Sequence, residues 1–268
     1  MDLGLRGATA VVSGGTGGMG QAAAECFAED GARVAVFGRT QERLDETVER
    51  LRQLGSPDAV GMRVDVGDRS VIERAFTDLG ARWGALNMLV NTVGPAQHGR
   101  IEDLTDEAWI AAFEMGTLSA VRCVRAALPW LRKAEWARIV NVSAQSTKRQ
   151  TPSLIAYTAA KSAMTSMSKN LAKALARDGI LVNTVSPGTF LSDSLRRHLQ
   201  TIAAARGIDP ESPVDAMRII AEDYGAPCDL GRAGLPSEIG AVIAFLASRR
   251  NSYMTGANVN VDGGSDFS

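Results

Sequence analysis

Tyr157 and Lys161 stand four apart in Tyr157-Thr-Ala-Ala-Lys161. In a helix that spacing projects both side chains from one face, one turn apart, so a phenol and an ammonium act on one small volume. A free tyrosine titrates at about 10, too high for ready proton exchange near neutrality, and a neighbouring cation pulls that value down. The pair reads as a general acid or base with its electrostatic helper. The surrounding residues predict the helix that the pair requires. Ala156, Ala159, Ala160 and Ala163 favour it, Met164, Met167, Leu171 and Leu175 recur on one side, and Gly179 stops it after Asp178.

A second group with chemical meaning is Ser13-Gly-Gly-Thr-Gly-Gly-Met-Gly20, preceded by the apolar run 8–12 and followed by a helical pattern over 22–30 closed by Gly31. Glycines clear side chains from the path of a pyrophosphate, and a helix start offers free N–H groups at a positive dipole end. Strand, glycine loop and helix in that order predict a dinucleotide site. A second strand over 33–37 delivers Gly38-Arg39-Thr40 to its C-terminal end, before a helix over 41–54, where the adenosine ribose is expected. An acidic residue there would hold the ribose hydroxyls; Arg39 suits a 2′-phosphate instead, so NADP is expected rather than NAD.

These residues need a scaffold, and the rest of the chain predicts one. Further strands at 59–64, 86–90, 138–142, 181–185 and 257–261 alternate with helices at 70–82, 107–132, 154–178 and 236–247. The alternation predicts a Rossmann-like doubly wound α/β fold, with a mostly parallel seven-stranded sheet and helices on both faces. Ligands bind at the carboxyl ends of such strands, so Gly14, Arg39, Asp65, Asn91, Ser143 and Pro187-Gly188 are expected around one crevice. Between 189 and 231 the pattern loosens into polar helical pieces broken by Asp209-Pro-Glu-Ser-Pro213, which predicts a lid or substrate loop.

No spacer or low-complexity run divides the 268 residues, so one domain over 1–268 is expected. The formal charge of −1, with signs mixed along the chain, gives no footprint for nucleic acid or an anionic membrane. No apolar run approaches the roughly 18 residues of a bilayer span and no leader-like start is seen, so the expected location is the cytoplasm. Three dispersed cysteines fit reduced thiols, and with two distant histidines they argue against a metal site. His98 is read as a loop histidine at the crevice mouth, and Trp109, Trp130 and Trp136 as packing residues.

Taken together the chain resembles, over essentially its whole length, the compact branch of the short-chain dehydrogenase/reductase family. The residues that carry the likeness are the loop 13–20 (begun by Ser13 where the family usually has threonine), Asp65-Val66, Asn91 to Gly94, Tyr157 with Lys161, and Pro187-Gly188. The ending from Gly231-Arg-Ala-Gly-Leu-Pro236 through Tyr253-Met-Thr-Gly256 to Asp262-Gly-Gly264 completes it. The resemblance implies hydride transfer between nicotinamide and a carbonyl or secondary alcohol, with Tyr157 as proton donor or acceptor and Lys161 on the nicotinamide ribose. It implies cofactor contacts at Gly14, Thr16, Gly18, Met19 and Gly20, at Asp65 and Val66 beside the adenine, at Asn91 and Gly94 beside the ribose, and at Pro187, Gly188 and Thr189 beside the carboxamide. Within the family the chain is similar to bacterial 3-oxoacyl-[acyl-carrier-protein] reductases. That implies a small-molecule carbonyl or alcohol substrate and a homodimer or homotetramer joined through the helices at 107–132 and 154–178.

Two positions depart from the family pattern. The serine that bonds the substrate oxygen falls thirteen residues before the tyrosine, where this chain has Ala144. Ser143 is the first candidate to replace it, if the strand end twists, with Ser146 next and neither as the third case. The family's helix asparagine aligns with Gly116, a gap that a water is expected to fill. These departures leave an alternative in view, a catalytically weak or inactive NADP(H)-binding sensor, against which the retained Tyr157 and Lys161 argue. A sugar-nucleotide epimerase or dehydratase shares the tyrosine and lysine spacing, but the short C-terminal part and the glycine-loop spacing argue against it.

Overall fold

In the computed structural model, which describes residues 2–265, the apolar runs form a single parallel sheet. Its strands are β1 (Thr9–Ser13), β2 (Arg33–Gly38), β3 (Ala59–Arg63), β4 (Met88–Asn91), β5 (Ala137–Val142), β6 (Ile180–Pro187) and β7 (Asn258–Val261), ordered β3-β2-β1-β4-β5-β6-β7. Every pairing is parallel. The chain therefore winds outward in both directions from the β1–β4 boundary, which makes the strand ends there the place for a ligand.

Strand alternation divides the apolar side chains between two cores. Ala10 and Val12 of β1 join Phe27 of α1 (Gly18–Glu29), Leu44 of α2 (Gln41–Gln53) and Ile239 and Ile243 of α9 (Pro236–Ala247) on one face. Val11 joins Phe76 of α3 (Arg69–Trp83), Cys123 and Val124 of α5 (Ser119–Leu131) and Leu175 of α6 (Ile155–Leu175) on the other. On that second face Phe37 and Phe76 meet edge to face at 5.4 Å. The expected doubly wound fold with helices on both faces is what the chain forms.

Two helices differ from the sequence expectation. The first begins at Gly18, not at residue 22, so Gly18 and Gly20 lie in its opening turn. The helix expected over 107–132 is broken into α4 (Asp106–Phe113), a π-helical turn (Glu114–Leu118) and α5. The π turn is where this segment presses on α6: Thr117 Oγ1 donates to the Ala160 carbonyl at 2.5 Å, and Gly116 lies against the Ala160 methyl. Apolar periodicity does not reveal a single extra residue in a turn, so the sequence showed one helix.

After β6 the chain leaves the sheet and returns to it at α9. This excursion contains α7 (Asp193–Arg206) and α8 (Pro213–Tyr224), each capped by a serine hydroxyl, Ser192 to Leu195 N and Ser212 to Asp215 N. Leu191, Leu199, Ile208, Ala216, Ile219 and Ala233 give it a small core of its own. Its two ends are joined in a neck, where Leu191 N donates to Gly234 O at 2.8 Å and Gly234 N to Thr189 O at 2.9 Å. A Cβ on Gly234 would sit 2.5 Å from the Phe190 ring, so the neck closes only with glycine there. Among the described residues no helix is long and apolar enough to cross a membrane.

Candidate active site

The helix α6 that carries Tyr157 and Lys161 is tied to the sheet by a buried polar chain. Asn91 Nδ2 donates to Asn141 Oδ1 at 2.8 Å, Asn141 Nδ2 to Ser168 Oγ at 2.9 Å, and Ser168 Oγ to the Met164 carbonyl at 2.8 Å. Linked buried hydrogen bonds of this kind fix one geometry in an apolar interior. Asn91 was expected beside the cofactor ribose; its amide nitrogen forms a strut from β4 to β5, and its Oδ1 has no hydrogen-bond partner among the described residues. Asn141 and Ser168 were missed in the sequence, although a polar residue in the buried run Ala137–Val142 was the signal that β5 bonds to something behind it.

Lys161 is 1% exposed, and its ammonium donates to the Val142 carbonyl at 2.8 Å and the Val93 carbonyl at 3.4 Å. Burial pulls its pKa down to about 8. Room for the ammonium depends on Gly94, whose φ of 147° favours glycine and whose Cβ would lie 2.5 Å from Lys161 Nζ. Tyr157 keeps part of its surface open, yet the protein around it is dense enough that desolvation pushes the phenol up to about 12. The sequence expectation was the reverse, a phenol made more acidic by its lysine. Desolvation wins because the ammonium lies 5.9 Å from the ring centroid and is engaged by two carbonyls. A neutral phenol is the form that donates a proton.

The glycine loop forms a cradle that side chains would fill. A Cβ on Gly14, whose φ is 77°, would lie 2.6 Å from Thr92 Oγ1, and one on Gly20 would strike the Gly14 carbonyl. Thr92 Oγ1 in turn donates to the Ser13 carbonyl at 2.7 Å, locking the end of β4 over the loop. Thr16 lies over Gly38 at the end of β2, and Met19 packs partly buried against the core beneath. The first turn of α1 has no side-chain cap and no acidic residue. Beyond β2, Arg39 is exposed. A side-chain-free cradle, an uncapped helix start and a nearby guanidinium fit a phosphorylated dinucleotide.

The other expected contacts ring the same strand ends. Asp65 Oδ1 accepts from Gly67 N at 2.9 Å in the turn after β3, while the Val66 side chain is buried in the core. Pro187 ends β6, and a Cβ on Gly188 would lie 2.7 Å from Asp262 Cα, which fixes the C-terminal turn beside it. The Thr189 carbonyl accepts from Gly234 N in the neck of the excursion after β6. His98 is exposed, with its ring 5.7 Å from that of Tyr224 at the end of α8. Gly99 N donates to Ser153 O at 2.9 Å, which brings this loop beside the start of α6. Trp130 packs on Gly80, Trp136 lies under the Arg138 guanidinium at 5.4 Å, and Trp109 packs against a small alanine cluster.

Two expectations are corrected. Ser143 was the first candidate for the donor to the substrate oxygen; its hydroxyl instead turns to α6, bonding the Lys161 carbonyl at 3.1 Å and Thr165 Oγ1 at 2.8 Å. Strand alternation continues past the end of β5, without the twist that would have redirected Ser143. Ser146, on the 3-10 turn Gln145–Thr147, is 4% exposed and its hydroxyl has no hydrogen-bond partner among the described residues; the same holds for Gln145 Oε1. The gap expected at Gly116 is closed, since a Cβ there would lie 2.9 Å from the Ala160 Cβ.

The family profile described as "Enoyl-(Acyl carrier protein) reductase" matches residues 14–266. The chain is 31% identical to the uncharacterized oxidoreductase YvrD of Bacillus subtilis, over 98% of each chain. Among solved structures it superposes on L-sorbose reductase of Gluconobacter frateurii, complexed with NADPH and L-sorbose, with a TM-score of 0.92, 26% identity and full coverage of both chains. It also superposes on the NADPH-bound short chain oxidoreductase of Pseudomonas aeruginosa PAO1, described as containing an atypical catalytic center, with a TM-score of 0.86 and 31% identity over 96% of each chain. With the parallel sheet, the glycine cradle and the tyrosine–lysine helix already in place, these likenesses lead to one conclusion: the chain belongs to the short-chain dehydrogenase/reductase family of NAD(P)-dependent oxidoreductases acting on alcohol and carbonyl groups.

Proposed function

We propose that this chain is an NADP(H)-dependent reductase of a small ketone or aldehyde, able to run the reverse oxidation, with Tyr157 as the proton donor and acceptor. The observation that carries the reading is Tyr157 and the buried Lys161 one turn apart on α6, with the ammonium held at the ends of β4 and β5 beside the glycine cradle. NADPH, when bound, supplies the hydride. Tyr157 gives its proton to the carbonyl oxygen, and in the reverse direction it removes the alcohol proton. Lys161 has three donors and two carbonyl partners, which leaves one N–H for a ribose hydroxyl. The same ammonium stabilises the phenolate that Tyr157 becomes after donating.

In place of Ser143, Ser146 supplies the hydrogen bond to the substrate oxygen, because its buried hydroxyl is unengaged. Gly14, Thr16, Gly18, Met19, Gly20, Asp65, Val66, Gly94, Pro187, Gly188 and Thr189 shape the cofactor seat, and Arg39 selects the 2′-phosphate. Two NADPH-bound relatives among the superposed structures support that cofactor choice. The whole chain acts as one catalytic domain in the cytoplasm, with 189–231 as the lid that keeps water from the crevice. Exposed Ile110, Phe113 and Leu118 on the α4–α5 segment support assembly as a homo-oligomer through that face.

A second reading is kept by Ala144 and the engaged Ser143: a cofactor sensor with little turnover. NADPH consumption by the purified protein against ketoses, other ketones, aldehydes and 3-oxoacyl thioesters decides, with Tyr157→Phe in parallel and NADPH binding followed by fluorescence. Turnover that drops by about 10² or more in Tyr157→Phe while binding persists is the expected result. Tight NADPH binding with no turnover in either direction on any substrate selects the sensor.

A further inference from the structure

The glycine loop contains no basic residue, yet the fold brings one to it. Gly17 opens α1 without a side chain, and the position of its Cβ is 3.7 Å from Arg43 Nη1 and 3.7 Å from Asp193 Oδ2. The corresponding position of Gly18 is 4.0 Å from Ser192 Cβ, so the first turn of lid helix α7 lies against the cradle. Arg43 lies in the first turn of α2, which follows Arg39 and the Thr40 cap, and pairs with Asp193 at 3.5 Å across 150 positions of sequence. Asp193 also faces Arg196 of its own helix at 3.6 Å, and Arg196 in turn bonds Glu211 at 2.8 Å.

We propose that Arg43 is, with Arg39, a ligand of the cofactor 2′-phosphate, and that the Asp193 carboxylate stands in for that phosphate until the cofactor arrives. The proposal rests on the NADP(H) reading above. Both side chains are 47% exposed and 3.5 Å apart, the description of a weak ion pair. A phosphate offers the guanidinium a stronger, bidentate partner, so it displaces the carboxylate. Asp193 then lies beside a like charge and keeps Arg196 of its own helix as its partner. The lid and the cofactor thus compete for one guanidinium, and the presence of the 2′-phosphate reaches the substrate side of the crevice through it.

Equilibrium titrations of the full chain with 2′,5′-ADP, NADPH and NADH test the proposal, using wild type, Arg43→Leu and Asp193→Asn. In Arg43→Leu the affinity for 2′,5′-ADP and NADPH falls by about tenfold or more while that for NADH stays within about twofold. Asp193→Asn binds NADPH about two- to fivefold more tightly at low salt, with a gain that fades as salt is added. Equal losses for NADPH and NADH in Arg43→Leu, or an unchanged preference in a normally folded variant, overturn the role of Arg43. Absence of tightening in Asp193→Asn overturns the stand-in, whether or not Arg43→Leu folds. A wild type that ignores 2′,5′-ADP and prefers NADH overturns the cofactor reading itself, an outcome distinct from a wild type that prefers NADPH without help from Arg43.

Discussion

At position 144 a buried methyl group occupies the place where the family has its hydroxyl, and the backbone there is extended, a conformation that serine adopts readily. In a Ser146→Ala background, where that donor is missing, Ala144→Ser is expected to raise kcat by roughly ten- to a hundredfold with KM little changed, since one preorganised donor to a developing oxyanion is worth about 10² to 10³ in rate. Gly116→Asn is expected to give no such gain and to lower stability by about 1–3 kcal/mol, because its Cβ lands on Ala160. Steady-state kinetics with chemical denaturation of both variants checks the pair; a faster Gly116→Asn enzyme would show that the π turn yields. Which residues were legible follows from how local their geometry is. Tyr157 and Lys161 face together by helix spacing alone, so the sequence contained them. The direction of Ser143 depends on the parity of a strand end, and the Tyr157 pKa depends on desolvation by distant segments; neither is written in neighbouring residues.

Among the elements, α3 and α5 cross where Gly80 admits the Trp130 indole, and an added Cβ would collide with the fused edge of that ring. Trp130 is held from its other side by Lys133, 4.2 Å above the ring. Gly80→Ala should therefore destabilise the protein by about 2 kcal/mol despite the better helix propensity of alanine, read as a lower denaturant midpoint at unchanged slope. A midpoint that rises would mean the indole moves aside without cost. Strands and most helices were legible because period-2 and period-3.6 patterns are strong in buried strands and amphipathic helices. The early start of α1 was hidden by its own glycines, which read as loop although two of them lie in the first helical turn. The π turn was hidden because helix period tolerates one surplus residue.

For the whole molecule, strand–helix alternation already implied the parallel sheet, since right-handed crossovers leave few other arrangements. What alternation does not contain is contact between segments far apart in sequence, such as Arg43 with Asp193 or the separate core of the α7–α8 segment. Assembly belongs to this scale too. Ile110 is 62% exposed, with Phe113 and Leu118 also open to solvent, an apolar surface that a second copy of the chain covers in the proposed oligomer. Ile110→Asp is expected to shift the species seen by sedimentation velocity toward monomer, while a wild type that sediments as a monomer would remove the basis for assembly through this face. The two hydrogen bonds of the neck separate inheritance from novelty. Everything between Leu191 and Gly234 enters and leaves the sheet through one closed pair of backbone positions, so the segment behaves as a cassette. It can lengthen, shorten or be exchanged in evolution or in the laboratory while the strands and helix that carry the glycine loop, Tyr157 and Lys161 pass down unaltered.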